Sequence, residues 1–359
     1  MSARRLAVVT SGFPRLSETF ALNELLALEA RGMLAGIFAT KRGDDGGHDQ
    51  PGVERLMHHV HILAGASADD QGRYLAARLD ANAVAGIHAY FAHQPAEVAE
   101  RAAHELRVPF GFSVHARDAR KVSPSILARR AADAACVIAC NPDVAGDLIR
   151  SGARTHMLPH GVDLQRFLPA PEPCGDRVRL LAVGRLVEKK GFDVLINAVA
   201  LVGVPVSLRI VGDGPLRRHL AAQVGALGLQ DRITFTPAVT HADLPGEYAA
   251  SNVVIVPSVV DATGDRDGLP NVLLEGMASG RAVVGARAGA IAAAVRDGET
   301  GLLVRSGSST ALAQAITCLA ISSDRRRALG TRARRAVERD YDVHRCANAF
   351  ADLLGGAYA

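Results

Sequence analysis

The sequence predicts an α/β protein with two parallel-sheet, Rossmann-like domains. Short apolar runs alternate with amphipathic stretches on short glycine-containing loops, once from Leu6 and again from Val178. Between the two series, Pro169, Pro171 and Pro173 stand in a polar stretch that reads as a linker. At 359 residues the chain is also too long for one small core. The expected division places one domain over residues 1–170 and a second over 171–340, with 341–359 beyond them.

Composition limits the function classes. Hydrophobic residues make up 48% and charged residues 22%, and a net charge of +4 is too mild to point to nucleic acid. Aromatic residues total 4% and tryptophan is absent, so platforms for stacking bases are scarce and no nucleic-acid partner is expected. Cys136 and Cys140 fall within the apolar run ACVIAC and are expected as buried reduced thiols; no zinc spacing occurs. No apolar run approaches the ~18 residues of a membrane span. The start, MSARRLAVVTSGF, reads as a first strand rather than a signal peptide, and a reducing cytoplasm is the expected setting.

In the first series, residues 6–10 are a strand and Ser11-Gly12 its loop. The GxGxxG fingerprint is missing there, which disfavours a nicotinamide-dependent oxidoreductase. Ser17 is placed to cap a helix carrying Leu22, Leu25 and Leu26 at helical spacing, and Gly32 to stop it. Residues 33–40 are the next strand, and 41–52 (KRGDDGGHDQPG) a polar loop. His58, His59 and His61 alternate with Val60 and Ile62, the pattern of a half-exposed edge strand more than of a metal site. Residues 84–90 form a strand that leads into a helix with Pro95 at its start. Residues 109–114 form another, followed at once by His115, Arg117 and Asp118. Polar side chains at the C-terminal end of a parallel strand are where open α/β sheets bind ligands. Strands at 136–139 and 155–158 complete the series, with Asn141-Pro142-Asp143 opening the helix between them.

The second series begins with a strand at 178–183 that Gly184-Arg185 ends. Residues 186–191 (LVEKKG) are a basic loop and 192–202 an amphipathic helix. A strand at 206–211 turns through Gly212-Asp213-Gly214-Pro215, and 233–235, 253–256, 282–285 and 302–304 add further strands. Two such sheets joined by a linker leave a cleft between their strand ends, a common ligand site. The arginine-dense stretch 324–345 is expected as a charged, solvated helix, with attraction to an anionic membrane surface as its functional alternative.

The most informative stretch is 264–280, GDRDGLPNVLLEGMASG, with carboxylates at Asp267 and Glu275. Gly268 permits a tight turn, and Pro270 suits the first turn of a helix. Both acids then lie near a helix N-terminus, where N–H groups without intrahelical partners suit a phosphate or a hydroxyl-rich ligand. Arg185 and Lys190 supply a fork and a point charge, fit to hold a diphosphate and to stabilise its charge as it departs. Gly184, Gly212, Gly214 and Gly268 allow backbone to approach a ligand closely. The carboxylates can accept hydrogen bonds from sugar or ribose hydroxyls. This set fits a nucleotide-diphosphate sugar, and on physics alone other phosphorylated ligands as well.

A resemblance narrows the class. FPRLSETFALNEL, HAYFAHQPAEVA, PFGFSVHARD, LPHGVDLQRF, VGRLVEKKGFDVLI, VGDGPLR, and GDRDGLPNVLLEGMASG followed by DGETGLLV occur in this order over nearly the whole chain. Together they resemble the retaining glycosyltransferases of family 4 (group 1), with SETF and HARD nearest in style to exopolysaccharide, colanic-acid-type members. The resemblance implies the GT-B fold. An acceptor-side domain would span 1–170, a nucleotide-sugar-binding domain 171–340, and a helix in 341–359 would return to the first domain. It implies that Arg185 and Lys190 bind the donor diphosphate, Glu275 the ribose, and Asp267 hydroxyls of the sugar. Backbone from Gly268 through Leu269 and Pro270 to Asn271 would lie near the sugar and phosphate. His115 would contact the sugar, and Gly12 and Gly184 would lie near the diphosphate. Gly212, Asp213 and Val239 would complete the donor site. His115, Arg185, Lys190 and Asp267 are the catalytic set so implied. The sequence departs from the common family pattern at Asp267, where glutamate is usual, at Ser11-Gly12-Phe13, which has fewer glycines, and at Pro237, where glycine is common.

The activity implied is transfer of a hexose-type sugar, with retention, from a UDP- or GDP-linked donor to a hydroxyl acceptor. That acceptor would be a lipid-linked glycan or a small molecule, in polysaccharide, glycolipid or glycosylated-metabolite biosynthesis. Peripheral association with the inner face of the membrane belongs to the same expectation. No cofactor or metal is expected, because the basic side chains supply the charge. The alternatives are a nucleotide-sugar 2-epimerase, which acts without an acceptor, and a non-catalytic nucleotide-sugar-binding protein.

Overall fold

The structure is a computed structural model that describes residues 4–15, 18–45, 47, 50–115, 118, 121–150 and 154–359. The chain divides into two compact units, Met1–Gly161 with Val343–Ala359, and Val162–Asp342.

In the first unit, β1 (Arg5–Thr10), α1 (Thr19–Ala30), β2 (Leu34–Ala39), α2 (Val53–Leu56), β3 (Val60–Ile62), α3 (Ala68–Ala76) and β4 (Val84–Tyr90) come first. They are followed by α4 (Gln94–Leu106), β5 (Phe110–Val114), α5 (Pro124–Asp133), β6 (Cys136–Ala139), α6 (Pro142–Arg150) and β7 (His156–Met157). The strands form a parallel sheet in the order β3-β2-β1-β4-β5-β6-β7. Because side chains alternate across a strand, β1 sends Ala7 and Val9 to one face, against Val98 and Ala99 of α4, and Leu6 and Val8 to the other, against Leu25 and Leu28 of α1. Strand order reverses between β1 and β4, and the chain leaving each opens a loop at the same end of the sheet.

The second unit repeats the plan with β8 (Val178–Val183), α7 (Phe192–Leu201), β9 (Val206–Val211), α8 (Arg217–Ala226), β10 (Ile233–Thr236), α9 (Leu244–Ala249) and β11 (Val253–Val256). It continues with α10 (Asn271–Ala278), β12 (Ala282–Ala286), α11 (Ile291–Ala294), β13 (Leu302–Val304), α12 (Ser309–Ala320) and α13 (Ser323–Asp340). Its parallel sheet runs β10-β9-β8-β11-β12-β13, with the reversal between β8 and β11. Leu180 and Ala182 pack on Leu195 and Ile196 of α7, while Leu181 on the other face packs with Leu273 and Met277 of α10. The last helix, α14 (Val343–Ala357), packs on α1 in the first unit, where Arg31 pairs with Asp352 at 2.6 Å.

Several expectations change. The units divide at Gly161/Val162 and Asp342/Val343, not at 170/171 and 340/341. The reason is packing: Val162 and Phe167 are buried in the second unit's core, and the Val162 N–H donates to the Tyr341 carbonyl at 2.8 Å. The proline stretch is therefore no free linker. Pro171 and Pro173 accept hydrogen bonds through their carbonyls from Arg281 at 3.3 Å and Asn252 at 3.1 Å, and Glu172 pairs with Arg326 at 3.0 Å. The arginine-rich helix α13 is not simply solvated, because Arg334 donates to the carbonyls of Phe167 and Ala278, each at 2.7 Å. The basic loop contains a 3-10 turn over Glu188–Lys190.

Ser17 and Arg117 lie outside the described residues. His58 and His59 fall in a 3-10 turn (Met57–His59), and β3 is the sheet edge. Among the described residues, no group of three or more His, Cys, Asp or Glu is placed to hold a metal ion. Cys136 and Cys140 are buried free thiols. Among the described residues, no helix is long and apolar enough to cross a membrane.

Candidate functional site

At the reversal point of the second sheet, the loops after β8 and β11 lie side by side. The first carries Arg185, Lys189 and Lys190; the second carries Ser258, Asp265 and Asp267. The loops are tied together by Val259 N–H donating to the Lys189 carbonyl at 2.8 Å and Ala262 N–H donating to Glu188 Oε1 at 3.1 Å. Asp267 is only 6% exposed. Its Oδ2 lies 2.9 Å from Lys190 Nζ and accepts the Ser258 hydroxyl at 2.7 Å. Lys189 Nζ lies 3.2 Å from Asp265 Oδ2 and 3.8 Å from Asp267 Oδ1. A buried carboxylate needs such partners, since an isolated charge would lose its hydration without compensation. Gly289 fixes the Asp267 backbone: a Cβ there would fall 1.8 Å from the Asp267 carbonyl oxygen. Arg185 is exposed beside this cluster in sequence, just after Gly184.

The expected helix after Asp267 is α10. Pro270 is its N-cap rather than its first residue and makes no side-chain cap, and Asn271 is exposed. Glu275 sits one turn in, 5% exposed, and its Oε2 accepts the Tyr248 hydroxyl at 2.7 Å. Burial, with the Glu275 charge adding to it, holds the Tyr248 phenol well above its ordinary pKa, so it stays a donor. The other oxygen, Oε1, is 3.8 Å from His241 Nε2. Leu269 and Val239 are partly buried against the same apolar cluster as α10. Gly212 has φ +143°, and a Cβ on it would lie 2.0 Å from the Gly184 carbonyl, so glycine is required where the ends of β8 and β9 touch. Asp213 accepts the Ala238 N–H at 3.0 Å, pinning the loop that carries Val239.

In the first unit, Gly12 follows β1 and abuts the Arg42 carbonyl, which a Cβ would approach to 2.8 Å. His115 follows β5. It is 8% exposed, with Phe20 at 4.6 Å, Phe91 at 5.1 Å and His160 at 5.0 Å between ring centroids. Burial first, then His160 and His88, hold its pKa well below the ordinary value, so the imidazole is neutral at pH 7. Asp118 accepts the N–H of Ala92 at 2.7 Å and of His115 at 3.4 Å through Oδ2, linking the loops after β4 and β5. Burial pushes its carboxyl up to about 7 against the pull of those N–H groups.

Residues 177–321 match the family described as Glycosyl transferases group 1, and residues 17–166 match Glycosyltransferase Family 4. The chain belongs to the group 1, family 4 glycosyltransferases. It is 33% identical over 217 residues to the GDP-mannose-dependent alpha-(1-6)-phosphatidylinositol monomannoside mannosyltransferase of Mycobacterium tuberculosis, covering 57% of this chain and 56% of that one. It is 32% identical over 199 residues to a candidate colanic acid biosynthesis glycosyltransferase, WcaL, of Escherichia coli K12, covering 54% of this chain and 49% of that one. The matches thus span about half the length of these relatives. The crystal structure of HepE from Anabaena in complex with UDP aligns with a TM-score of 0.83 at 21% identity, over 99% of this chain and 100% of that one. The fold is GT-B.

In this family 4 chain, sequence reasoning named Asp267, Lys190 and Glu275 but not their partners. Ser258 stands just past the end of β11, where the strand-end rule alone would have found it. Lys189 was visible as a neighbour in LVEKKG. Tyr248 lies 27 residues from Glu275, and Glu24 lies 136 from His160, so no local pattern joins either pair.

Proposed function

We propose that the chain is a retaining hexosyltransferase that takes its sugar from a UDP- or GDP-linked donor and passes it to a hydroxyl acceptor. One observation carries this reading: the Lys190–Asp267–Ser258 cluster at the C-terminal strand ends of the second sheet, in the same unit as the Glu275–Tyr248 pair. Lys190 and Arg185 are assigned to the departing diphosphate, whose growing charge they stabilise. Asp267 accepts hydroxyls of the sugar. Glu275 takes the ribose through Oε1, since Oε2 is occupied by Tyr248. His115, a neutral imidazole, is assigned to the sugar by the motif resemblance.

The acceptor hydroxyl attacks the anomeric carbon on the face from which the diphosphate leaves. As the new C–O bond forms, the bond to the diphosphate breaks, and the leaving phosphate oxygen takes the hydroxyl proton. Asp267, with one oxygen held by Lys190 and Ser258, serves as a grip rather than a nucleophile. The protein's part is then positioning and electrostatics. We infer that no metal is needed, because Arg185, Lys189 and Lys190 provide the positive charge; transfer should be unchanged by a chelator.

The relative that is GDP-mannose-dependent and the HepE complex with UDP both support a nucleotide-diphosphate sugar as donor. The names of the mannosyltransferase and WcaL support a lipid-linked or polysaccharide acceptor, with a small molecule as the other class. For a lipid-linked acceptor, the exposed Arg325 and Arg335 of α13 supply attraction to an anionic inner membrane face.

Titration calorimetry with a panel of UDP- and GDP-hexoses tests the donor. We expect one nucleotide class to bind, and Glu275→Ala to weaken it by about tenfold or more. Absence of heat with every donor would sink the reading.

A further inference from the structure

We propose that Glu24 and His160 are positioning residues that act on the transferred sugar through His115. This rests on the reading of His115 as a sugar contact. The three residues come from distant places: α1, the segment after β7 and the loop after β5.

Glu24 is 6% exposed. Its Oε2 accepts the Tyr90 hydroxyl at 2.7 Å, and its Oε1 lies 3.1 Å from His160 Nδ1. The His160 ring lies 5.0 Å from the His115 ring with 14° between planes. The Tyr90 ring lies 6.0 Å from the His115 ring at 13°. One carboxylate therefore tethers two rings that both run parallel to the imidazole of His115. Phe20 fills the space beside the histidines, 4.1 Å from His160 and 4.6 Å from His115. His115 Nδ1 is buried with no hydrogen-bond partner among the described residues, so that atom does not fix the ring. The stacked, tethered neighbours do.

The charges support the same role. Burial opposes the His160 cation, but Cys140 and Glu24 outweigh it and raise His160 to about 10. A cation held there discourages a second proton on His115. The titratable groups around the pair are Glu24 on α1, His88 and Tyr90 on β4, Asp118 after β5, Cys140 after β6, and His160 itself. A buried ion pair is a weak source of stability, so its place against His115 points to orientation rather than to the fold.

The test uses the full chain with Glu24→Gln, His160→Ala and His160→Phe, the last keeping a ring in the stack. Nuclear magnetic resonance of the histidine ring nitrogens reads His115 directly, without any need for activity. In the wild type, His115 should hold one neutral tautomer from about pH 6 to 8. In Glu24→Gln and His160→Ala its ring signals should shift, as the imidazole loses its fixed orientation. Turnover should fall by about tenfold or more while the donor KM stays within about threefold, the mark of lost positioning. His160→Phe should recover part of the turnover lost in His160→Ala. Unchanged His115 signals in folded Glu24→Gln would overturn the proposal. Should that variant not fold, unchanged signals in His160→Ala would do the same. A wild type that turns over no donor would count against the transferase reading instead, and the ring signals would still decide the pairing.

Discussion

Replacing Lys190 by alanine separates what the basic loop does for the fold from what it does for a donor. Lys190 Nζ lies 2.9 Å from Asp267 Oδ2, and the two side chains are 20% and 6% exposed. Removing one partner of a buried ion pair costs about 3–5 kcal/mol, because the other charge is left uncompensated. Two contacts soften that cost here. Ser258 keeps its 2.7 Å bond to the same oxygen, and Lys189 remains 3.8 Å from Oδ1. The expected loss is therefore about 2–3 kcal/mol. Adding Asp267→Asn removes the charge that Lys190 had balanced, and should restore most of that stability. Turnover should behave differently. If the ammonium stabilises the leaving diphosphate, Lys190→Ala loses about 100-fold or more, and the double variant regains none of it. Urea unfolding gives the first quantity, and the rate of nucleoside diphosphate release gives the second. Wild-type stability in Lys190→Ala would show that the ion pair does not hold the loop, and turnover that returns with stability in the double variant would show that Lys190 does not act on the diphosphate.

Other substitutions probe the neighbouring parts. Tyr248→Phe removes the 2.7 Å donor to Glu275 and should cost about 1.5–3 kcal/mol of stability and weaken donor binding about tenfold; unchanged affinity by calorimetry would mean that Glu275 does not hold the ribose. Burial raises Asp118 from 3.8 to about 7, so the folded chain holds a proton that the unfolded chain has released between those values. Its contribution to stability is full below the lower value and is lost as pH rises towards the upper one. In Asp118→Asn that loss disappears, so the variant's thermal midpoint should gain on the wild type from about pH 4 to 7; a constant difference would contradict the shift. Gly212→Ala forces a Cβ to 2.0 Å from the Gly184 carbonyl and should cost about 1–3 kcal/mol in denaturant unfolding, with loss of donor binding.

What could be read in the sequence, and what could not, follows the range of the interactions. Strand positions such as 178–183 and 253–256 were legible because a buried parallel strand is a short apolar run closed by a polar residue or glycine. The acids Asp267 and Glu275 were legible because they flank a helix start. Tyr248 was not, since it reaches Glu275 only after α9 packs beside α10. Pro169–Pro173 looked like a linker because proline and polar residues carry that signal wherever they occur; nothing local reveals that Arg281, Asn252 and Arg326 grip this stretch. Arg326 and Arg334 misled in the same way. An arginine run reads as solvated until the Glu172 carboxylate and the Phe167 carbonyl, both distant in sequence, are found at its guanidinium groups. The stack of His115, His160 and Tyr90 on a single carboxylate is the furthest case, formed by four segments with no common pattern.

Transfer with retention from a nucleotide-diphosphate sugar leaves its mark on the anomeric carbon of the product. Proton resonance of that centre reads it, with each UDP- or GDP-hexose incubated with the wild type, with and without a hydroxyl acceptor. Free nucleoside diphosphate should appear together with a product whose anomeric configuration matches the donor, and both should be lost in Arg185→Ala/Lys190→Ala. An inverted product, an epimerised sugar still joined to its diphosphate, or wild-type rates in the double variant would contradict this reading.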